Sequence, residues 1–243
     1  MAQRLSKKKK QRQTKDMEHI VNTKFAMKKI HPMTKTQSTF FDSYSKGYNI
    51  AGIGTAGTGK TFLSMYLALK DVMETNIYSK IVIVRSAVQS RDQGFMPGNL
   101  HEKMSYYETP YQNIVNELFD RGDAYEILKK KKMIEFMSSS FVRGLTLDNS
   151  IIIVDEAQNM NYGELSSIIT RVGENSRIVF CGDTKQDDLK GTKNKNDVSG
   201  LVSFLSVLYR MDSFDVVKFS INDVVRSGIV KEYIIAEEQM EVA

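Results

Sequence analysis

Cysteine is nearly absent from this 243-residue chain: Cys181 stands alone. One thiol excludes an internal disulfide and suits a reducing cytoplasm. Histidine is also scarce. His19, His31 and His101 are scattered, with no cysteine partners at ligand spacing, so no zinc site is expected. No stretch approaches the roughly 20 apolar residues that span a bilayer. The basic start, MAQRLSKKKKQRQTKD, leads into no apolar segment of a secretory signal. No internal repeat is visible. With 41% hydrophobic and 26% charged residues, the chain reads as an ordinary globular protein, long enough for one large α/β domain or two small ones.

Acidic residues are missing from the first fifteen positions, which carry Arg4, Lys7, Lys8, Lys9, Lys10, Arg12 and Lys15. The whole chain is +5, so without these seven charges the remainder sits at about −2. A like-charge run repels itself and stays unfolded. It serves either as a solubilising tail or as a non-specific contact to nucleic acid. If about five of its charges met phosphates, the salt slope of binding would be on the order of −4. Residues 1–30 are therefore expected to be a basic tail and residues 31–243 a single domain.

From YNIAGIG onward, short β-branched runs alternate with longer amphipathic segments. This is the pattern of an α/β fold with a mostly parallel sheet covered by helices. Strands are expected at Ile50–Ile53, Ile81–Val84, Ile134–Met137, Ile151–Val154, Ile178–Cys181 and Val216–Phe219. Four are nearly continuous Ile/Val runs, as in strands buried on both faces. Helices are expected over the segment TFLSMYLALKDVM, near Pro110 to Phe119, and from Tyr162 to Val172. KGTKNKN, residues 190–196, reads as an exposed loop.

GTAGTGKT, residues 54–61, matches G-x-x-x-x-G-K-[ST] with Gly54, Gly59, Lys60 and Thr61 in the fixed places. Gly57 and Gly59 let the backbone of Thr55, Ala56 and Thr58 turn its N–H groups inward. The helix that starts near Lys60 and Phe62 aims its positive dipole end at an anion. Lys60 is placed to reach the β and γ oxygens, and the Thr61 hydroxyl to ligate Mg²⁺. IIIVDEAQ then brings Asp155 and Glu156 to the carboxyl end of a strand, where ligands of open α/β sheets bind. Asp155 is expected to hold the metal through water. Glu156 can orient an attacking water, which favours a hydrolase over a kinase. RIVFCGDTKQDDL ends another strand in Asp183, Lys185 and Gln186, where a Gln can sense a γ-phosphate or simply complete a polar turn. Within that run Cys181 reads as a small buried hydrophobe. MSYYETPYQNI offers aromatic faces for base stacking or for core packing.

Five segments in order resemble the PhoH family of P-loop ATPases across residues 34–236. They are GIGTAGTGKTFLSMYLAL, IVRSAVQSRDQGFMPGNLHEKMSYYETPYQNIVNEL, FVRGLTLDNSIIIVDEAQNM, RIVFCGDTKQDDL and FSINDVVRSGIVKEYI. That family is similar to the motor core of superfamily 1 helicases, and the short length is similar to phage-encoded members. The resemblance implies a three-layer, RecA/helicase-like P-loop fold, with ATP and Mg²⁺ as cofactors. It implies a cytoplasmic location, that of a bacterial host if the chain is phage-encoded. It further implies Gln37 as an adenine reader, Arg85 and Arg91 as contacts to a nucleic-acid backbone, and Gln186 as the γ-phosphate sensor. Arg226 matches a late arginine that either acts as a finger on ATP, in a neighbouring subunit of a ring, or forms a surface ion pair. Thr184 departs from the proline often found there. The expected function is an ATPase coupled to single-stranded RNA or DNA, a helicase-like motor in a homo-oligomeric ring such as a hexamer. A small-molecule phosphotransferase and an ATP-dependent switch without unwinding activity are the alternatives.

Overall fold

A computed structural model describes residues 25–86, 100–183 and 200–241. Residues 1–24, with the basic tail, and the segments holding Arg91, Thr184, Gln186 and the 190–196 loop lie outside the described residues.

All six expected strands form: β1 (Asn49–Gly54), β2 (Lys80–Arg85), β3 (Ile134–Ser138), β4 (Ser150–Asp155), β5 (Arg177–Gly182) and β6 (Phe214–Phe219). They make one sheet in the order β3-β2-β4-β5-β1-β6, and every pairing is parallel. β4 and β5 are buried along their whole length. Their aliphatic content follows from that, because each such side chain removed from water contributes about 1.5–3 kcal/mol.

Seven helices accompany the sheet among the described residues: α1 (Lys35–Ser45), α2 (Lys60–Glu74), α3 (Leu100–Phe119), α4 (Ala124–Lys130), α5 (Tyr162–Ile169), α6 (Leu201–Leu208) and α7 (Gly228–Glu241). Side chains from α1 to α4 pack with Ile50, Ile81, Ile83, Ile151, Ile153 and Val179 on one face of the sheet. Those from α5 and α6 pack with Val82, Val84, Ile152, Val154 and Phe180 on the other. Alternate residues of each strand thus feed two cores, giving three layers of the P-loop type.

Helices depart from expectation in two ways: α3 and α5 have different bounds, and α1, α4, α6 and α7 were not expected. α3 begins ten residues before Pro110, which sits inside the helix; an interior proline costs a hydrogen bond, but the buried residues Tyr111, Val115 and Leu118 continue the apolar face. α5 stops at Ile169, short of Val172, and opens with a capping box between Asn161 and Glu164. α1 was not expected as a helix; Thr34 caps it by accepting from the Gln37 N–H, and Gln37, Phe40 and Tyr44 form its buried stripe.

Parallel pairing puts every strand's carboxyl end on one edge, so Gly54, Arg85, Ser138, Asp155, Gly182 and Phe219 gather there. The opposite edge is closed by Arg177. Its guanidinium lies 3.7 Å from the Tyr44 ring centre and donates to the carbonyls of Tyr44 and Tyr48. No helix in the described residues is long and apolar enough to cross a membrane.

Candidate phosphate and metal site

The loop after β1 is shaped by three glycines at positive φ: Gly54 at 129°, Gly57 at 74° and Gly59 at 86°. A Cβ on Gly54 would lie 1.9 Å from the Phe219 carbonyl oxygen, so only glycine lets β1 pass β6 here. Gly59 is the left-handed residue from which α2 starts, and it leaves the first N–H groups of a 15-residue helix facing the loop. Inside the loop the buried Thr58 hydroxyl donates to the Thr55 carbonyl at 2.9 Å. The Lys60 ammonium donates to the carbonyls of Gly54 at 2.5 Å and Thr55 at 2.8 Å. Burial pushes the Lys60 pKa down, while Asp183, Cys181, Asp155 and Glu156 oppose that shift.

β4 delivers the carboxylates. Asp155 Oδ1 accepts from the Thr61 hydroxyl at 2.8 Å, and Oδ2 accepts from the Tyr111 hydroxyl at 2.8 Å. The two sequence elements expected to face each other, 94 residues apart, are therefore in direct contact. Glu156 turns out of the strand at φ 52°, a left-handed conformation. Its Oε2 accepts from Gln158 Nε2 at 2.5 Å, and Gln158 Oε1 in turn accepts from the Asp183 N–H at 3.0 Å. Burial raises the Glu156 pKa, Asp155 adds to the rise, and Arg85 opposes it. Arg85 is in register with Asp155 across the β2–β4 pair, and its guanidinium lies 5.4 Å from the Tyr107 ring centre.

These groups open into one cleft of about 980 Å³. Gly57, Lys60, Thr61, Asp155 and Glu156 line it, together with Met33, Gln37, Phe62 and Ile114. The buried Gln37 donates from Nε2 to the Thr58 carbonyl at 3.0 Å and accepts at Oε1 from the Met33 N–H at 2.7 Å. An amide offers two donors and two lone pairs, so one of each is left over. Arg226 lines the same cleft, in its own chain; a Cβ built on Gly57 would sit 3.1 Å from the Arg226 Cγ. The Val225 N–H donates to the Gly57 carbonyl at 3.1 Å, tying the segment before α7 to the loop.

Other sequence expectations sort by position. Cys181 is buried beside Ser64, and desolvation pushes its thiol up to about 12, so it behaves as an apolar side chain. In MSYYETPYQNI, Tyr111 is fully buried while Tyr106 is 66% exposed, so the stretch divides between core and surface. Tyr111 and Gln158 were not anticipated as site residues. Gln158 had a signal in its place three residues after Asp155, whereas Tyr111 had none beyond its aromatic neighbourhood.

The model of the family described as PhoH-like protein matches residues 29–238. A PhoH-like protein of Mycobacterium leprae (strain TN) is 33% identical over 215 residues, covering 88% of this chain and 60% of the relative. One from Bacillus subtilis (strain 168) is 33% identical over 214 residues, covering 87% and 65%. This chain thus spans about 60% of the length of the curated relatives it matches. Among solved structures, the large terminase of a thermophilic bacteriophage is similar with a TM-score of 0.49 and 12% identity, over 84% of this chain and 49% of that one.

Proposed function

This chain belongs to the PhoH family, and we propose that it binds ATP with magnesium and hydrolyses it, in the service of single-stranded RNA or DNA. In this reading residues 31–243 are the ATPase unit and residues 1–30 its basic tail, of which residues 25–30 pack against the core through Phe25, Met27 and Ile30. One observation carries it: the Thr61 hydroxyl and Asp155 carboxylate meet at 2.8 Å beside a loop bent by three glycines at positive φ. Hydroxyl and carboxylate are hard oxygen donors, suited to Mg²⁺ whose remaining positions are filled by phosphate oxygens and water. When bound, the metal neutralises charge developing on the phosphates.

The chain's own groups supply the rest. Amides of residues 55–61 and the α2 amino end hold the phosphates. Lys60, resting on loop carbonyls, exchanges them for phosphate oxygens, a stronger charge-assisted contact. The spare donor and acceptor of Gln37 match the edge of adenine, with Phe62 and Ile114 as apolar walls. Glu156, held at one oxygen by Gln158, orients water with the other. Arg226 supplies positive charge to the leaving phosphate from within the same chain. Arg85, at the strand edge, and the tail offer cations to a nucleic-acid backbone. We extend this reading to a helicase-like motor that moves along the strand as a homo-oligomer, for which a ring is the natural form.

The test is the ATPase rate with and without single-stranded RNA and DNA, for the wild type, Lys60→Ala and Glu156→Gln. Both variants are expected to lose hydrolysis, with Glu156→Gln retaining ATP. Unchanged phosphate release in Glu156→Gln would remove its water-orienting role. The Val225–Gly57 bond favours one second reading, a nucleotide-dependent switch that moves α7; tight ATP binding with turnover indifferent to either nucleic acid would support it.

A further inference from the structure

Asp155 is restrained by two hydroxyls from different helices. Thr61, on α2, donates to Oδ1, and Tyr111, on α3, donates to Oδ2, each at 2.8 Å. A carboxylate on a short side chain turns freely about its last torsion, whose energy wells are broad. Two donors on opposite oxygens fix that plane and leave the remaining lone pairs directed by the protein. Tyr111 is well suited to this: it is 0% exposed, its ring packs against Phe136 with centres 5.6 Å apart, and its hydroxyl has the Asp155 carboxylate as its partner.

We propose that Tyr111 is a positioning residue for the magnesium-holding carboxylate, and that through it α3 sets the geometry between the metal end and the nucleoside end of the cleft. The second half follows from spacing. Ile114, one helical turn beyond Tyr111 on the same helix, lines the cleft wall with Phe62 and Gln37. A rigid turn of α3 therefore spans from the carboxylate to the apolar wall. This inference rests on the ATP–magnesium reading and adds to it a residue outside every phosphate-binding motif in the chain.

Groups that orient a metal ligand typically change metal affinity 10- to 100-fold when removed. Tyr111→Phe keeps the ring and deletes the donor. Affinity for a fluorescent ADP analogue is measured in EDTA and across a magnesium titration, with Mn²⁺ binding followed by electron paramagnetic resonance, for wild type, Tyr111→Phe, Asp155→Asn and the double variant. The magnesium half-saturation point is expected to rise about tenfold in Tyr111→Phe, with EDTA affinity unchanged. No further rise is expected when Tyr111→Phe is added to Asp155→Asn, and 4-aminophenylalanine at position 111, which restores a donor, should return the wild-type value. An unchanged half-saturation point, or an equal loss with and without magnesium, overturns the positioning role while leaving the ATP reading intact. A wild-type protein whose nucleotide affinity ignores magnesium overturns both.

Discussion

Replacing Gly54 and Gly57 by alanine, one at a time, separates what the loop does for the fold from what it does for the phosphate. At Gly54 the added carbon would lie 1.9 Å from the Phe219 carbonyl oxygen, 1.5 Å inside an ordinary 3.4 Å contact. The obstacle is backbone in a paired strand, since Gly54 and Phe219 are in register in the β1–β6 ladder. Relief requires parting the two strands, and a loss of about 4 kcal/mol or more follows. At Gly57 the new carbon meets the Arg226 Cγ at 3.1 Å and the Ile234 Cδ1 at 3.4 Å, both on side chains that can yield. There the main cost is the left-handed backbone, about 1–2 kcal/mol. For a chain of this size that corresponds to a fall in melting temperature of roughly 2–8 °C. Thermal unfolding followed by circular dichroism, with ATPase rates on the same samples, reads both effects. Gly57→Ala should stay folded and lose turnover more than nucleotide affinity, because it pushes Arg226 away from the loop. Gly54→Ala melting within about 2 °C of wild type, or above Gly57→Ala, would refute the steric argument.

Two further outcomes follow from the same geometry. Folding raises the Glu156 pKa above its ordinary 4.5, so the protonated carboxyl adds stability at low pH that is lost as pH rises through the folded value, while a water-orienting role needs the ionised form. The acid limb of the ATPase profile should therefore lie above that of a free carboxylate, and Arg85→Gln, assayed without nucleic acid, should move it higher still; an unmoved limb or a shift downward would contradict this. Arg226→Ala should bind nucleotide almost normally yet turn over about 10³-fold more slowly. Because Arg226 lines the cleft of its own chain, mixing that variant with Lys60→Ala should give no recovery of rate, and recovery would place the arginine in a neighbour's site.

The site divides by how its parts are written in the chain. A phosphate cradle is made from consecutive backbone amides, so its residues must be contiguous and its glycines must fall where φ is positive; Gly54, Gly57 and Gly59 are legible for that reason. β4 is equally plain, because a strand buried on both faces can hold only a run such as Ile151–Val154 before its polar end. α1, α4, α6 and α7 were not read as helices. LVSFLSVL, which forms α6, is a short apolar run of the kind that periodicity cannot assign to helix or strand. The restraint on the carboxylates is harder again. Gln158 reaches back to Glu156 only because Glu156 adopts a left-handed turn, which an L-residue's identity does not announce. Tyr111 reaches Asp155 across 44 residues and from another layer, so its role depends on how α3 packs over the sheet. Any buried tyrosine on that helix face would look the same in sequence. Groups that act through their backbone must therefore cluster in a motif, whereas groups that orient a functional side chain can come from whichever element packs above it. Variants that alter catalysis without touching a motif should accordingly concentrate on the cleft-facing side of α3.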